Sequence, residues 1–273
     1  MSCRYDFFGG KLRELERWFS DKNGAVVAFS GGVDSTLVAA VAAKTLGDRA
    51  IAVTVNTEFT GEGDIEKAKR SAKEAGIRHE IIELKLPEQV LTNPQERCYL
   101  CKVAMMKGLR YEAESLGIGL VIDGTNSDDV KAGRPGIRAL REMGIRSPLA
   151  EVGLSKKDVY EISVMIGLSV EKGSNSCLAT RFPFGHRFKR EEGRMVEKGE
   201  QFLRSRGFRT VRVRVTDLSA KIEVDPAEID KALDRELRKE IVEEFKIIGF
   251  RSVSLDLEGY RQGSMDYFEN SSV

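Results

Sequence analysis

No apolar run in the chain approaches the roughly 18 residues that a bilayer-spanning helix needs, so nothing reads as a membrane anchor. The opening MSCRYDFFGG lacks the long apolar core of a secretion signal, and the protein is expected to be cytoplasmic with no membrane partner. Four cysteines in 273 residues are too few for a disulfide scaffold. Neither sign of charge prevails: Lys and Arg number 44 against 43 for Asp and Glu, which removes the global field of a nucleic-acid or anionic-membrane binder. The only two histidines, His79 and His186, are read as structural rather than catalytic. The phosphate-loop signature G-x-x-x-x-G-K-[ST] is absent, as are internal repeats and low-complexity segments. The length leaves room for one large domain or two modest ones.

What is present is organised around Ala25 to Ser35, AVVAFSGGVDS. Its apolar, β-branched start is short enough to be a buried strand, and it breaks into Ser30, Gly31 and Gly32 before apolar residues resume at helical spacing. Two glycines let the backbone turn sharply and approach a ligand closely, while Asp34 and Ser35 fall in the first turn of the helix. Free amides backed by the positive end of a helix dipole make such a turn a phosphate site, each charge contact contributing about 0.3 to 1 kcal/mol. The bland alternative is a strand-to-helix turn with a glycine hinge.

The same pattern recurs along the chain. A helix over residues 5–20 precedes this strand, and helix 34–46 follows it. Strands are predicted at 50–55, 79–84 and 119–123, with helices at 61–75, 102–115 and 156–166, the last entered through Ser155 as N-cap. Alternating strands and helices imply an α/β fold with a doubly wound parallel sheet, ligands lying at the carboxyl ends of the strands, where both SGG and GTN fall. Beyond about residue 178 the character changes: a helix at 190–206, strands at 210–215 and 221–224, a long helix at 226–245 and a strand at 252–257 suggest a smaller α+β domain. The expected division is therefore 1–177 and 178–273.

Two further signals bear chemistry. Cys98 and Cys101 stand three residues apart in R-C-Y-L-C-K, and Cys177 in S-N-S-C-L-A-T-R could add a third thiolate, with Cys3 the remaining candidate. A structural zinc, an iron-sulfur cluster, and buried or redox cysteines all remain open, because soft thiolates suit zinc and clusters alike. From Arg181 through Asp217 there are eleven Lys or Arg and five acids, a local net of +6 that suggests an anion-binding patch. Within it, Arg212 and Arg214 in R-V-R fall on one face of a strand and could grip one phosphate, although a solvated edge of ion pairs would look the same.

SGGVDS resembles the pyrophosphatase loop of the ATP pyrophosphatase superfamily. SGGVDST, DGTNSDD, KAGRPGIRAL, SNSCLATRFPFG, RTVRVR and LDLEGYRQGSM, in this order over nearly the whole chain, resemble the LarE-type sulfur transferases. The resemblance implies an enzyme that uses ATP to adenylate a carboxylate of pyridinium-3,5-biscarboxylic acid mononucleotide and replaces oxygen by sulfur, in nickel-pincer nucleotide biosynthesis. It implies that Ser30, Gly31, Gly32 and Ser35 hold the ATP phosphates, with Asp34 near a magnesium ion, Gly124 and Asn126 beside the nucleotide, and Asp129 or Arg134 completing that side. The same resemblance implies that Glu200 and Glu223 fall near the donor site, as metal or proton ligands. Some members of the family sacrifice the sulfur of the cysteine matching Cys177, whereas others carry a C-x-x-C pair as well and hold a four-iron four-sulfur cluster on three thiolates. With Cys98, Cys101 and Cys177 all present, the cluster-dependent branch is expected, with sulfide or another sulfur donor as partner and a homo-oligomeric assembly. The alternatives are a tRNA-thiolating enzyme of the same superfamily and a non-catalytic ATP-binding protein with a structural zinc.

Overall fold

The computed structural model describes residues 2–133, 135–170 and 177–261, with side chains from Phe8 onward and that of Pro135 excepted. The chain divides into two compact units, Met1–Val90 with Gln95–Asn175, and Leu91–Pro94 with Ser176–Val273. Among the described residues, no helix is long and apolar enough to cross a membrane.

In the first unit, helix α1 (Ser2–Ser20) leads into strand β1 (Ala25–Ala28), helix α2 (Val33–Leu46) and strand β2 (Ala50–Asn56). Helix α3 (Glu62–Ala75) and strand β3 (Arg78–Glu83) follow, then the short α4 (Glu88–Leu91) and the long α5 (Arg97–Ser115). Strand β4 (Val121–Ile122) is succeeded by α6 (Ser127–Lys131), α7 (Pro135–Glu142), α8 (Pro148–Glu151) and α9 (Lys156–Met165). The strands pair in the order β3-β2-β1-β4, all parallel, which is the doubly wound arrangement expected from the alternating pattern.

Alternation along β1 feeds two cores. Ala25 and Val27 join Leu15, Phe19, Leu37, Val41 and Ile162 from α1, α2 and α9, whereas Val26 joins Ile51, Val53, Met106, Leu109 and Leu140 on the side of α5 and α7. Each fully buried Leu, Ile, Val or Phe in these layers is worth about 1.5 to 3 kcal/mol, so slipping β1 by one residue would exchange both sets at a cost well above any turn preference.

In the second unit, helix α10 (Arg190–Ser205) precedes the hairpin of β5 (Val211–Thr216) and β6 (Ser219–Val224). Then come α11 (Ile229–Leu233), α12 (Arg235–Ile248) and β7 (Ser252–Leu255), which pairs parallel with β6 to give a mixed sheet in the order β5-β6-β7. The single helix expected over 226–245 is in fact a 3-10 turn and two helices. Asp225 accepts from the Ala227 amide at 3.0 Å and opens the 3-10 turn, and Asp234 accepts from Glu236 and Leu237 at 3.1 and 3.0 Å, so it caps a new helix rather than continuing the old one.

Candidate active site

The turn after β1 and the turn after β4 are neighbours because β1 pairs with β4, Val27 opposite Ile122, while β2 flanks β1 on its other side. Strand order reverses there, and this is where an open parallel sheet leaves a crevice. At the first turn, Gly31 sits at φ +67°, and a Cβ built on it would lie 2.7 Å from the Ala68 Cα. Ser71 Oγ donates to the Gly31 carbonyl at 3.1 Å, so α3 presses directly on the loop. The loop is also tied internally: Ser35 Oγ donates to the Gly32 carbonyl at 3.0 Å, the Gly32 amide donates to Ser30 Oγ at 3.3 Å, and the two hydroxyl oxygens are 3.2 Å apart. The Thr36 amide bonds back to the Gly32 carbonyl at 2.9 Å, so the amides of Val33, Asp34 and Ser35 precede the first i to i−4 bond of α2 and remain to meet an anion. The buried Thr36 hydroxyl has no hydrogen-bond partner among the described residues, an orphan of the kind that a ligand satisfies.

The second turn fits against the first. A Cβ on Gly124 would lie 2.7 Å from the Ser35 amide nitrogen, so only glycine allows this approach. Asn126 caps α6 through a capping box with Asp129, its Oδ1 accepting from the Asp128 and Asp129 amides at 3.0 Å each, and its Nδ2 donates to Asp34 Oδ1 at 3.0 Å. The other Asp34 oxygen accepts from Lys156, which opens α9 behind the Ser155 cap. The sequence does not single out Lys156. Nothing in its local spacing separates it from Lys157, and only the packing of α9 beside α2 brings it to Asp34. The turn itself is braced by buried Asp123, which accepts from Thr125 Oγ1 and Ser147 Oγ at 2.6 Å each. Arg134 lies outside the described residues, as does the side chain of Cys3.

The helix expected from Lys102 begins at Arg97, so Cys98 lies in the first turn of α5 and Cys101 opens the second, three residues apart and on one face. Cys98 is exposed, while Cys101 is half-buried with its Sγ 3.7 Å from Met105 Sδ. Between them Tyr99 donates to Glu142 of α7 and lies under the Arg138 guanidinium, 3.9 Å from the ring centroid, which fixes the start of α5 against α7. Among the described residues, no group of three or more His, Cys, Asp or Glu side chains is gathered to hold a metal ion.

In the second unit, exposed Cys177 stands at the head of a 3-10 turn, Leu178–Arg181. Around that turn lies a buried charge network. Glu200 accepts from Arg181 Nε at 2.9 Å and Nη2 at 3.2 Å, from Arg204 at 2.9 Å and from the Val213 amide at 3.2 Å. Burial pulls the Glu200 carboxyl up, but the charges of Arg181, Arg204 and Arg212 outweigh it and hold it below the usual carboxylate range. Arg214 Nε lies 3.1 Å from both oxygens of Glu223, and its Nη1 donates to the Thr180 carbonyl. Arg212 and Arg214 share a face of β5 as expected, yet they are not an open pair on a solvated edge. Arg212 is buried, with its guanidinium 5.2 Å from the Tyr260 ring centroid, and burial followed by the Arg181 charge lowers its pKa. Much of the local surplus of +6 is cancelled by acids outside the counted stretch, since Glu223 faces Arg214, Glu228 faces Arg209 at 3.3 Å and Glu240 faces Arg206 at 2.9 Å. His79 bonds Thr54 Oγ1 at 2.8 Å within the sheet, and burial lowers its pKa; His186 bonds Glu192 at 2.8 Å and stacks on Phe182.

Comparison with known proteins adds three relatives and one family. Residues 8–105 match the family model described as NAD synthase. An uncharacterized protein of Synechocystis is 40% identical over 94% of this chain and 97% of its own, and an uncharacterized protein of Methanocaldococcus jannaschii is 32% identical over 90% and 94%. The pyridinium-3,5-bisthiocarboxylic acid mononucleotide synthase of Lactiplantibacillus plantarum is 34% identical over 93% of this chain and 91% of that protein.

Proposed function

We propose, from the premise that this chain belongs to the LarE-type sulfur transferases, that it converts carboxylates of pyridinium-3,5-biscarboxylic acid mononucleotide to thiocarboxylates with sulfur delivered at a three-cysteine centre. That it is an ATP-dependent, adenylating sulfur transferase follows from the family. The observation that supports the ATP-activating half of this reading is the meeting of Asp34, Asn126 and Lys156 where the β1 and β4 turns adjoin, a cation and a carboxylate beside the amides that open α2.

A carboxylate is a poor electrophile because its oxygen would have to leave as oxide. In the first step a substrate carboxylate oxygen attacks the α-phosphorus of ATP, the bond to the bridging oxygen breaks, and pyrophosphate leaves with that electron pair. The amides of Val33 to Ser35 and the Lys156 ammonium neutralise the charge that builds on the departing phosphates, and Asp34 is the carboxylate this reading assigns to the magnesium ion that accompanies them. In the second step a sulfur nucleophile adds to the carbonyl carbon and the bond to AMP breaks, so that AMP carries off the oxygen. Arg212 and Arg214 are the cations this reading assigns to the substrate phosphate.

The donor set suits soft-metal chemistry: Cys98 and Cys101 stand three residues apart in α5, Cys177 is exposed at the head of its turn, none of the three is in a disulfide, and thiolates are the ligands of iron-sulfur centres. Cys98, Cys101 and Cys177 would hold a four-iron four-sulfur cluster, which would supply a renewable sulfur carrier. A sulfide-level donor and a homo-oligomeric assembly belong to the same reading. Anaerobically purified protein should be brown with about four irons per chain, and Cys98→Ala or Cys101→Ala should lose iron and multiple turnover. A colourless zinc protein, or full iron content in either variant, would overturn the three-thiolate centre. Incubation with ATP and the pyridinium biscarboxylate should release pyrophosphate; release with tRNA in its place would overturn the substrate.

A further inference from the structure

The turn that bears Cys177 is held by its carbonyl oxygens from two sides, by residues whose role the chemistry above leaves unassigned. On one side is Asn93. It is wholly buried, sits at φ +52°, and its Nδ2 faces the carbonyls of Ala179, Phe182 and Pro183 at 3.3, 3.2 and 2.8 Å. Three acceptors around one atom require it to be the amide nitrogen and not the oxygen, with two hydrogens shared among them. A left-handed backbone is tolerated by asparagine better than by most residues, so one side-chain type satisfies both the conformation and the donors. The backbone of the same stretch is fixed as well, since Gly185 donates to the Asn93 carbonyl at 3.1 Å and Phe188 to the Leu91 carbonyl at 2.8 Å.

On the other side is Arg181. Its Nη1 donates to the Cys177 carbonyl at 3.2 Å and to Thr180 Oγ1 at 2.9 Å, and Thr180 Oγ1 in turn donates to the same Cys177 carbonyl at 2.7 Å. The guanidinium is held by Glu200, which also receives the β5 backbone at Val213. Arg214, held by Glu223, caps the Thr180 carbonyl between the two. An accessible cysteine thus stands on a backbone whose carbonyls at 177, 179, 180, 182 and 183 all have named side-chain donors. Ordinary surface turns are left to water.

We propose that Asn93 and Arg181 are positioning residues that fix the Cys177 turn, so that the sulfur chemistry at Cys177 meets the activated carboxylate before water does. This rests on the reading of Cys177 as part of the sulfur-delivering centre. The clamp acts on direction and order, so it predicts uncoupling rather than loss of activation: an adenylate formed beside a wandering turn is hydrolysed to AMP and the original carboxylate.

The experiment compares Asn93→Asp and Arg181→Lys in the full-length anaerobic protein by amide hydrogen exchange and by the ratio of pyrophosphate released to thiocarboxylate formed. Asn93→Asp keeps shape but turns three donations into repulsions, and Arg181→Lys keeps charge but loses the fork that reaches Glu200 and the turn together. Both variants should raise exchange at Leu178–Phe182 and the product ratio on the order of tenfold, with pyrophosphate release within about threefold of the parent. Thr180→Val should follow more weakly and Thr180→Ser should restore the parent ratio, and this pair decides the matter if the buried variants do not fold. Unchanged exchange at the turn would overturn the clamp, and so would pyrophosphate release falling in step with product. If the parent protein released no pyrophosphate with the biscarboxylate, the substrate reading would fail, while the exchange data would still report on the clamp.

Discussion

Single positions carry the site through what they lack or what they reach. Gly31 combines a left-handed backbone with an approach that leaves no room for a methyl group, 2.7 Å from the Ala68 Cα. Gly31→Ala is therefore expected to displace α3 or the loop, costing about 2 kcal/mol or more of stability and most ATP affinity, measurable by thermal melts with and without magnesium and ATP. Motif reading finds this glycine, because the sharp turn is written in the local sequence. Lys156 is different: its ammonium meets Asp34 only because α9 lies beside α2. Lys156→Met should lower the rate of pyrophosphate release about a hundredfold, near 3 kcal/mol of transition-state stabilisation, with little change in melting temperature because the side chain is partly exposed. Single-turnover measurement of pyrophosphate checks this.

At the scale of elements, the apolar periodicity predicts the parallel sheet and the helices at 34–46, 61–75 and 156–166 to within a few residues; it leaves α6, α7 and α8 unassigned, and two boundaries fall where polar side chains take over the backbone. Asp234 is such a place. In D-R-E-L it stands amid apolar residues at helical spacing, and its carboxylate nonetheless collects the Glu236 and Leu237 amides and restarts the helix. Asp234→Ala should cost about 1 kcal/mol, the ordinary worth of an N-cap, and Asp234→Asn should recover most of it in chemical denaturation. The start of α5 lies five residues ahead of its apolar pattern for a related reason. R-C-Y-L-C-K has no apolar stripe, and the turn is held as helix by Tyr99 against Glu142 and Arg138 of α7, a contact between segments some forty residues apart.

For the molecule as a whole, charge was the quantity hardest to read from the chain. A local surplus counted along a stretch treats neighbours in sequence as neighbours in space, whereas β6 and α12 return acids onto the cations of β5 and of the turn after α10. The resulting buried network makes stability depend on pH. Since the folded pKa of Glu200 lies below its unfolded value of 4.5, the contribution of its charge is complete above that value and is lost as pH falls toward the folded one. Melting temperature should accordingly drop from about pH 5 downward. Glu200→Gln should lower stability by about 3 to 5 kcal/mol at neutral pH, because it leaves Arg181 buried without its counter-charge, and should flatten the acid limb of the curve.

The sequence by itself determined the doubly wound sheet, the glycine turn after its first strand, the second turn at GTN and the C-x-x-C pair with its distant third cysteine, because period, glycine placement and residue spacing are properties of short segments. Only the tertiary structure decided that Gly124 presses on Ser35, that Asp34 is shared by Asn126 and Lys156, and that Asn93 holds the turn of Cys177. Those are contacts between residues separated by some eighty to one hundred and twenty positions. Their geometry is set by which apolar faces bury together, and no local pattern encodes that distance.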